Sequence, residues 1–219
     1  MIGWVGWRRA WMWVAFLLAA CRPVGGQARE LGEQHLFRPT GDAVISSPLA
    51  WDFDGDGTRE IAVGSWDGYF YLLDVELNDL PAWPKWSRKG FFSSPALADL
   101  DGDRVPEIVV GSETGKIYAW HWNGRAAEGF PADLGYRIWA SPTVLECGQT
   151  EAVCIAIGGK DQMHVLDAEG RSVDEWPQPI QGWPDATAAV GAGQRGTKIL
   201  AVTTLTPGDP SQGWSSAGT

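Results

Sequence analysis

SSPLAWDFDGDGTREIAVGSWDG, residues 46–68, and SSPALADLDGDRVPEIVVGSETG, residues 93–115, are two copies of one pattern placed 47 residues apart. A third copy follows at the same spacing in residues 140–158, where a Ser-Pro pair again precedes an apolar run that ends in glycine. A fourth, weaker copy begins near residue 185 and reaches Val202. Self-similarity at a fixed spacing of this length is typical of repeat architectures, so the repeat decides the fold.

Each copy consists of short β-rich runs that are separated by turn signals. Four dipeptides supply a glycine that tolerates the positive φ of a tight hairpin: Asp67-Gly68, Thr114-Gly115, Asn123-Gly124 and Glu169-Gly170. The run Ile108–Val110 is uninterruptedly apolar, which indicates a strand that is buried on both faces. A unit of about 40 to 50 residues with four such strands is typical of a β-propeller blade. The sequence therefore predicts an all-β β-propeller with three complete four-stranded blades and a partial fourth, in an incomplete ring.

The repeat also predicts the boundaries of the units. The repeat region spans residues 44–205, residues 22–43 are predicted to be a linker or the start of the first strand, and residues 206–219 a disordered tail. The units are 44–90, 91–137, 138–182 and a partial 183–205, and the first three contain a Trp-Pro or Phe-Pro pair at Trp83-Pro84, Phe130-Pro131 and Trp176-Pro177. Because propellers close as rings of about four to eight blades, we expect the sequence to be a fragment of a longer protein. An open flank with a free sheet edge predicts poor solubility or pairing with another chain.

The N-terminal segment predicts export. Met1–Arg9 carries two positive charges, and the 11 apolar residues Ala10–Ala20 are too few to span a bilayer but suit the core of a signal peptide. Leu18-Ala19-Ala20-Cys21 resembles a bacterial lipobox, so residues 1–21 are predicted to be a signal peptide with lipidation at Cys21. The alternative is a plain secretory signal that is cut later, after Ala28. The first reading predicts a cell-envelope lipoprotein (outer membrane, periplasm or cell surface) that meets the membrane only through its lipid anchor, and the second a secreted protein.

Composition excludes some function classes. The 219 residues are 44% hydrophobic and 20% charged, which is ordinary for a globular protein. With 17 basic and 27 acidic residues the net charge is −10, so no nucleic-acid partner is expected, since such a partner needs a clustered basic surface. Divalent cations are the more natural partners of this chain.

Carboxylates recur at fixed spacing between the first and second predicted strands of the first two units. They occupy positions 1, 3, 5 and 9 of a loop, with a backbone carbonyl available at position 7, and hard oxygen ligands in a tight loop are what Ca²⁺ requires. The predicted ligands are Asp52, Asp54, Asp56, Thr58 and Glu60 in the first loop and Asp99, Asp101, Asp103, Val105 and Glu107 in the second. At position 6 the first loop has Gly57, where positive φ is expected, and the second has Arg104, which costs about 1 kcal/mol of backbone strain and suggests a weaker site.

Three interpretations other than a structural calcium site apply to these loops. A helix-loop-helix calcium sensor needs a glutamate at position 12, where this chain has Val63 or Val110, and helical flanks. A catalytic pair of carboxylates needs two different environments that separate the pKa values, whereas these carboxylates are crowded and repeated. The remaining alternative is a set of Asp/Gly-rich turns without a metal.

The two quoted segments resemble FG-GAP or VCBS-type repeats of bacterial exported proteins, and they are similar to the calcium-binding blades of the integrin α-subunit propeller. The resemblance covers residues 44 to about 205, with specific motifs in the first two units, moderate ones in the third and weak ones in the fourth. It implies a propeller with structural Ca²⁺ in inter-strand loops and a role in adhesion, ligand binding or scaffolding.

The third and fourth units depart from the pattern. At the third loop the four carboxylate positions hold Glu146, Gly148, Thr150 and Cys154, and at the fourth Val190, Ala192, Gln194 and Lys198, so no metal is expected in either. Cys147 and Cys154 bracket the third loop, and export permits disulfides. We therefore predict that a Cys147–Cys154 disulfide replaces the ion there; the alternative is two buried free thiols.

Histidine and tryptophan are assigned no chemistry at this level. His35, His121 and His164 show no metal-ligand spacing and no nucleophile motif. Trp83, Phe130 and Trp176 occupy one blade position, which indicates packing between blades. For Trp66, Trp86 and Trp122 the alternative role is stacking of an exposed ring on a sugar.

The favoured function is a non-enzymatic, exported, calcium-binding propeller that binds a protein or glycan ligand at the cell surface or acts as a scaffold. One alternative is that the blades belong to an extracellular enzyme such as a polysaccharide lyase, a glycosidase or a quinoprotein-like dehydrogenase. Another is a periplasmic scaffold of envelope assembly.

Overall fold

The computed structural model describes residues 36–147, 152–184, 187–192, 198–202 and 204. Within these ranges the chain is all-β, with 14 strands and no helix, and accordingly no membrane-spanning helix is found in them. The predicted signal peptide, Cys21 and the predicted tail at 206–219 lie outside the described residues.

The first three units each form a four-stranded antiparallel sheet with the strands in chain order. The first sheet consists of β1 (Leu49–Trp51), β2 (Glu60–Gly64), β3 (Tyr69–Leu73) and β4 (Lys85–Trp86). The second consists of β5 (Ala96–Ala98), β6 (Glu107–Gly111), β7 (Lys116–Trp120) and β8 (Ala132–Asp133). The third consists of β9 (Thr143–Cys147), β10 (Ala152–Gly159), β11 (Gln162–Leu166) and β12 (Gln178–Pro179).

The fourth unit contributes two antiparallel strands, β13 (Ala189–Ala192) and β14 (Lys198–Ala201). The predicted propeller with three complete blades and a partial fourth is therefore confirmed, and the described residues do not close a ring. The first strands of successive blades contact each other, β5 against β9 and β9 against β13.

Antiparallel order places the loops at two opposite ends of each blade. The β1–β2 loop, the β3–β4 connection and their counterparts in later blades lie at one end, which we call the acidic end. The hairpin turns between the second and third strands and the connections to the next blade lie at the opposite end, which we call the connecting end. Both predicted metal loops are at the acidic end.

The blades pack through apolar side chains on both sheet faces, which explains the uninterrupted apolar runs. Between the first two blades the ring of Phe70 meets Trp83, Phe91 and Trp120 at centroid distances of 6.1, 5.5 and 5.7 Å. The predicted packing role of Trp83 is thus seen directly, and its indole N–H also donates to the carbonyl oxygen of Trp122 at 2.6 Å.

The glycine that ends each second strand allows the next blade to come close. A Cβ atom on Gly64 would lie 2.5 Å from Cβ of Phe91, and one on Gly111 would lie 2.4 Å from Cγ2 of Ile138. Real Cβ contacts are not this short, so a side chain at either position would push two blades apart. The recurrence of glycine at the end of the apolar run therefore has a packing cause.

The repeated Ser-Pro segment also connects blades. The backbone N–H of Ser47 donates to the hydroxyl of Ser94 at 2.9 Å, and the N–H of Ser94 donates to the hydroxyl of Ser141 at 2.8 Å. Each bond joins residues 47 positions apart. The serine that recurs in sequence is thus the hydrogen-bond partner of its own counterpart in the neighbouring blade.

Residues 36–43, within the segment predicted as a linker or start of the first strand, form no strand. They lie against the first blade, where Arg38 pairs with Asp79 at 2.7 Å and lies 5.1 Å from the centre of the Tyr71 ring. The carbonyl of Ala43 accepts a hydrogen bond from the N–H of Trp66 at 2.9 Å. This segment therefore covers part of the flank that the first blade would otherwise expose.

Candidate metal centre

The first loop runs from the end of β1 to the start of β2 and is organised by its own carboxylates. Asp52 accepts hydrogen bonds from the N–H groups of Gly55 and Gly57 at 2.8 and 3.0 Å, one on each oxygen. Asp54 accepts from the N–H of Asp56 at 3.1 Å, and Asp56 from the N–H of Thr58 at 2.7 Å. The carboxylates of these three aspartates therefore hold the loop in a compact turn by bonding to its own backbone.

The second loop, between β5 and β6, repeats this pattern bond for bond. Asp99 accepts from the N–H groups of Gly102 and Arg104 at 2.8 and 3.0 Å. Asp101 accepts from the N–H of Asp103 at 3.2 Å, and Asp103 from that of Val105 at 2.7 Å. Two different sequences adopt one loop conformation because the aspartates at positions 1, 3 and 5 make the same bonds in both.

Position 6 has positive φ in both loops, as the sequence predicts for glycine. Gly57 has a φ of 90° and Arg104 a φ of 72°. Arginine in the left-handed region is strained by about 1 kcal/mol or more, so the second loop holds its conformation against a local cost.

The glutamate at position 9 is the first residue of the second strand and is buried in both blades. Glu60 is 4% exposed and Glu107 is 0% exposed. One oxygen of each closes the loop by accepting a backbone N–H at 2.8 Å, from Phe53 in the first blade and from Leu100 in the second. The other oxygen of each carboxylate takes no part in this bond.

The electrostatic state of Glu107 favours a cation. The pKa of Glu107 is raised to about 7, mainly by burial and in addition by the neighbouring charges of Asp101 and Asp103, against the lowering effect of the Leu100 N–H. At Asp56, by contrast, hydrogen bonds from the hydroxyl and the N–H of Thr58 lower the pKa of the carboxyl. A carboxylate that is both buried and surrounded by like charge is stabilised when a cation binds beside it.

The structure brings most of the predicted ligands together, in one group at the first loop and two at the second that share Asp101, and within each group the ligand atoms lie within 4.8 Å of one another. These groups are Asp52, Asp54 and Glu60; Asp99, Asp101 and Asp103; and Asp101, Glu107 and His121. Asp56 is outside the first group, and the carbonyl oxygens of Thr58 and Val105 stay predicted ligands. A buried oxygen of Glu107 accepts no aligned hydrogen bond in the described part of the chain. Because a buried polar atom normally has a partner, the ligand atoms around Glu107 fit a divalent cation.

His121, whose sequence context predicts no role, lies at the second loop. Its Nδ1 lies 2.8 Å from Oε1 of Glu107. The signal that could have found it is the hairpin register, because Ile108 pairs with Trp120 and the next pair outward is Glu107 with His121. His164, the other described core histidine, contacts the hydroxyl of Tyr136 instead.

Both loops lie within one segment that matches a known family model. Residues 52–110, which begin at the first ligand and include both loops, match the model of the FG-GAP-like repeat. No curated protein matches the sequence.

Solved structures support the propeller fold of this chain. The N-terminal part of BBS1 in complex with ARL6DN, soaked with lead, is 14% identical with a TM-score of 0.53, over 74% of this chain and 48% of that chain. A europium-containing methanol dehydrogenase is 12% identical with a TM-score of 0.50, over 74% of this chain and 39% of that chain. This chain thus spans less than half the length of either, and at such identity the likeness shows the fold alone.

In the third unit, beyond the matched FG-GAP-like repeats, two cysteines lie at the corresponding loop. Cys147 ends β9 and Cys154 lies in β10, and the structure joins them by a disulfide with a Cα–Cα distance of 5.7 Å. Cys154 occupies the position that Glu60 and Glu107 hold in the first two blades, and it is 1% exposed. The intervening residues 148–151 lie outside the described ranges.

The predicted disulfide can be tested by counting thiols. In the unreduced, denatured chain we expect no reactive thiol at Cys147 or Cys154, because their backbones are within the ordinary disulfide range. Titration with Ellman's reagent in guanidinium measures this, and a Cys147→Ser, Cys154→Ser double variant supplies the zero for any contribution of Cys21. Two more free thiols in the parent chain than in that variant would contradict the disulfide.

The connecting end of the blades carries a row of aromatic side chains. Trp66 packs edge-on against Phe92 at 4.6 Å, Phe92 lies 5.4 Å from Trp139, and Arg137 lies over the ring of Trp139 at 5.1 Å. Next to the first two blades is a cleft of about 500 Å³. Its lining residues are Trp86, Ser87, Arg88, Thr114, Lys116 and Tyr118.

Proposed function

We propose that this chain is a non-enzymatic, exported, calcium-binding propeller that serves adhesion, ligand binding or scaffolding at the cell surface. Ca²⁺ binds in the two loops of residues 52–110 and has a structural role. It links the start of the second strand of a blade to the loop that precedes it.

The observation that carries the calcium assignment is the pairing of a wound acidic loop with a buried glutamate, twice. Ca²⁺ takes about six to eight oxygen ligands at about 2.3 to 2.6 Å. Each loop offers aspartates at positions 1, 3 and 5 and the glutamate at position 9, and the first loop offers oxygen ligands only. The buried Oε1 of Glu107 accepts no aligned hydrogen bond in the described part of the chain, which supports a cation as its partner.

The non-catalytic assignment rests on the sameness of the two loops. A general acid and a general base need environments that separate their pKa values. Here the aspartates at positions 1, 3 and 5 and the position-9 glutamates make matching hydrogen bonds in both blades. Repetition of one arrangement in two blades favours a structural role over a catalytic one.

The connecting end is the proposed ligand surface. Trp86 is 62% exposed and Trp66 44% exposed, and Arg88 and Lys116 add positive charge beside Trp86 in the cleft. Exposed aromatic faces with flanking polar groups suit a protein or glycan ligand. One of the compared propellers was itself solved in a complex, BBS1N with ARL6DN, which is in keeping with a binding role for this fold.

Calcium titration tests the proposal. Isothermal titration calorimetry of the metal-free chain is expected to show two Ca²⁺ ions bound per chain. Glu60→Gln and Glu107→Gln should each reduce the number to one, because each removes the buried charged ligand of a single loop. Glu76→Gln is the matched control, since Glu76 is an exposed glutamate at the same end of the first blade and outside both loops. Absence of binding, or two ions in both loop variants, would overturn the calcium assignment.

A further inference from the structure

The turn that follows the third strand has the same backbone in all three complete blades. The N–H of its first residue donates to the carbonyl of the fifth: Asp74 to Asn78 at 3.0 Å, His121 to Arg125 at 2.9 Å, and Asp167 to Arg171 at 2.8 Å. His121 is therefore the structural counterpart of Asp74 and Asp167. At this position the three turns differ in the partners of the side chain.

In the first and third blades the aspartate is occupied by its own turn. Asp74 accepts from the N–H groups of Glu76 and Asn78 at 2.9 and 2.8 Å. Asp167 accepts from the N–H of Glu169 at 3.0 Å and of Arg171 at 2.8 Å. These carboxylates cap their own turn.

In the second blade this capping role has moved to another residue. Oδ1 of Asn123 accepts the N–H of Arg125 at 3.0 Å. His121 is thereby released from the turn, and its Nδ1 reaches to 2.8 Å from Oε1 of the fully buried Glu107. His121 itself is 8% exposed.

The two buried atoms are close without an aligned hydrogen bond between them. Oε1 of Glu107 accepts no hydrogen bond of good geometry in the described part of the chain, despite the 2.8 Å separation. Two ligands on one tetrahedral zinc-like ion, each about 2.0 to 2.2 Å from the metal, are about 3.3 to 3.6 Å apart and direct their lone pairs at the ion rather than at each other. Asp101 brings a third ligand atom within 4.8 Å of both.

We propose that the second loop binds a transition-metal ion of the zinc class, with Asp101, Glu107 and His121 as ligands, in preference to Ca²⁺. The inference rests on the proposed function in taking the second loop as a metal site. Imidazole suits zinc-class ions, whereas an all-oxygen set suits Ca²⁺. The first loop, where the counterpart Asp74 caps its own turn, remains a calcium site, so the two loops of one chain differ in selectivity.

Displacement of calcium by cobalt tests this directly. Co²⁺ is used as the probe because its visible absorption reports coordination, and it is titrated into the full chain already saturated with Ca²⁺. We expect one of two Ca²⁺ ions to be displaced, with histidine scattering in the cobalt X-ray absorption spectrum. In His121→Ala and His121→Gln the two calcium sites should persist, while cobalt affinity falls about tenfold or more. Glu76→Gln is again the matched control and should behave as the parent chain.

The outcomes separate this inference from the proposed function. Cobalt binding of unchanged affinity in both His121 variants, or a cobalt spectrum without histidine, would show that His121 is only a hydrogen-bonding neighbour of Glu107 and would overturn the inference while leaving calcium binding intact. Cobalt bound through His121 in a chain that binds no Ca²⁺ would overturn the proposed function alone. If both His121 variants fail to fold, Asp101→Asn replaces them, because Asp101 is exposed. Unchanged cobalt affinity in Asp101→Asn would likewise overturn the inference.

Discussion

Replacement of Phe70 by alanine is expected to lower the free energy of unfolding by about 3 to 5 kcal/mol. The Phe70 side chain is 0% exposed and its ring touches three other aromatic rings, two of which, Phe91 and Trp120, belong to the next blade or its connection. Truncation removes buried apolar area and leaves a cavity between two sheets that cannot collapse independently. The loss is large because one side chain serves the packing of two blades.

Tyr69→Ala is the matched control for this measurement. Tyr69 precedes Phe70 on the same strand, points to the opposite face and is 39% exposed. Urea unfolding followed by tryptophan fluorescence should give a loss for Tyr69→Ala of about 1 kcal/mol or less, as is usual for partly exposed positions. Equal losses for the two variants would contradict the packing role assigned to Phe70.

Removal of calcium is expected to have the second large effect. An ion that binds only the native state stabilises it by about 2.7 kcal/mol per site at a hundredfold excess over Kd, so two sites together contribute about 5 kcal/mol. The physical reason lies in the buried glutamates, whose charge is held among other carboxylates in the absence of a cation. Thermal unfolding monitored by circular dichroism in calcium and in EDTA measures the difference in Tm.

Two comparisons make this result specific. Magnesium at the same concentration should raise Tm less, because Mg²⁺ demands octahedral geometry and dehydrates reluctantly. A Glu60→Gln, Glu107→Gln double variant should melt at the same temperature in calcium and in EDTA. If the parent chain also melts identically in the two buffers, neither loop holds calcium.

Most of the fold follows from sequence because its signals are local or periodic. The spacing of 47 residues, the alternation of apolar runs with Gly-containing turns, and the Ser-Pro segment predict the blades and their order. The aspartates at positions 1, 3 and 5 specify the acidic loop by themselves, since each bonds to a backbone N–H two to five residues away. The same locality predicts a left-handed conformation at Arg104, and its φ is 72°.

The sequence by itself thus determined the repeat, the strands and the winding of the two loops. Only the tertiary structure decided what the buried glutamates meet. Glu107 and His121 are 14 residues apart and become neighbours through the antiparallel register of β6 and β7, whereas the equivalent register in the first blade sets Glu60 opposite an aspartate that caps its own turn. The reason is that a cross-strand pair depends on register and on which side chain the turn leaves free, and both arise from interactions between segments.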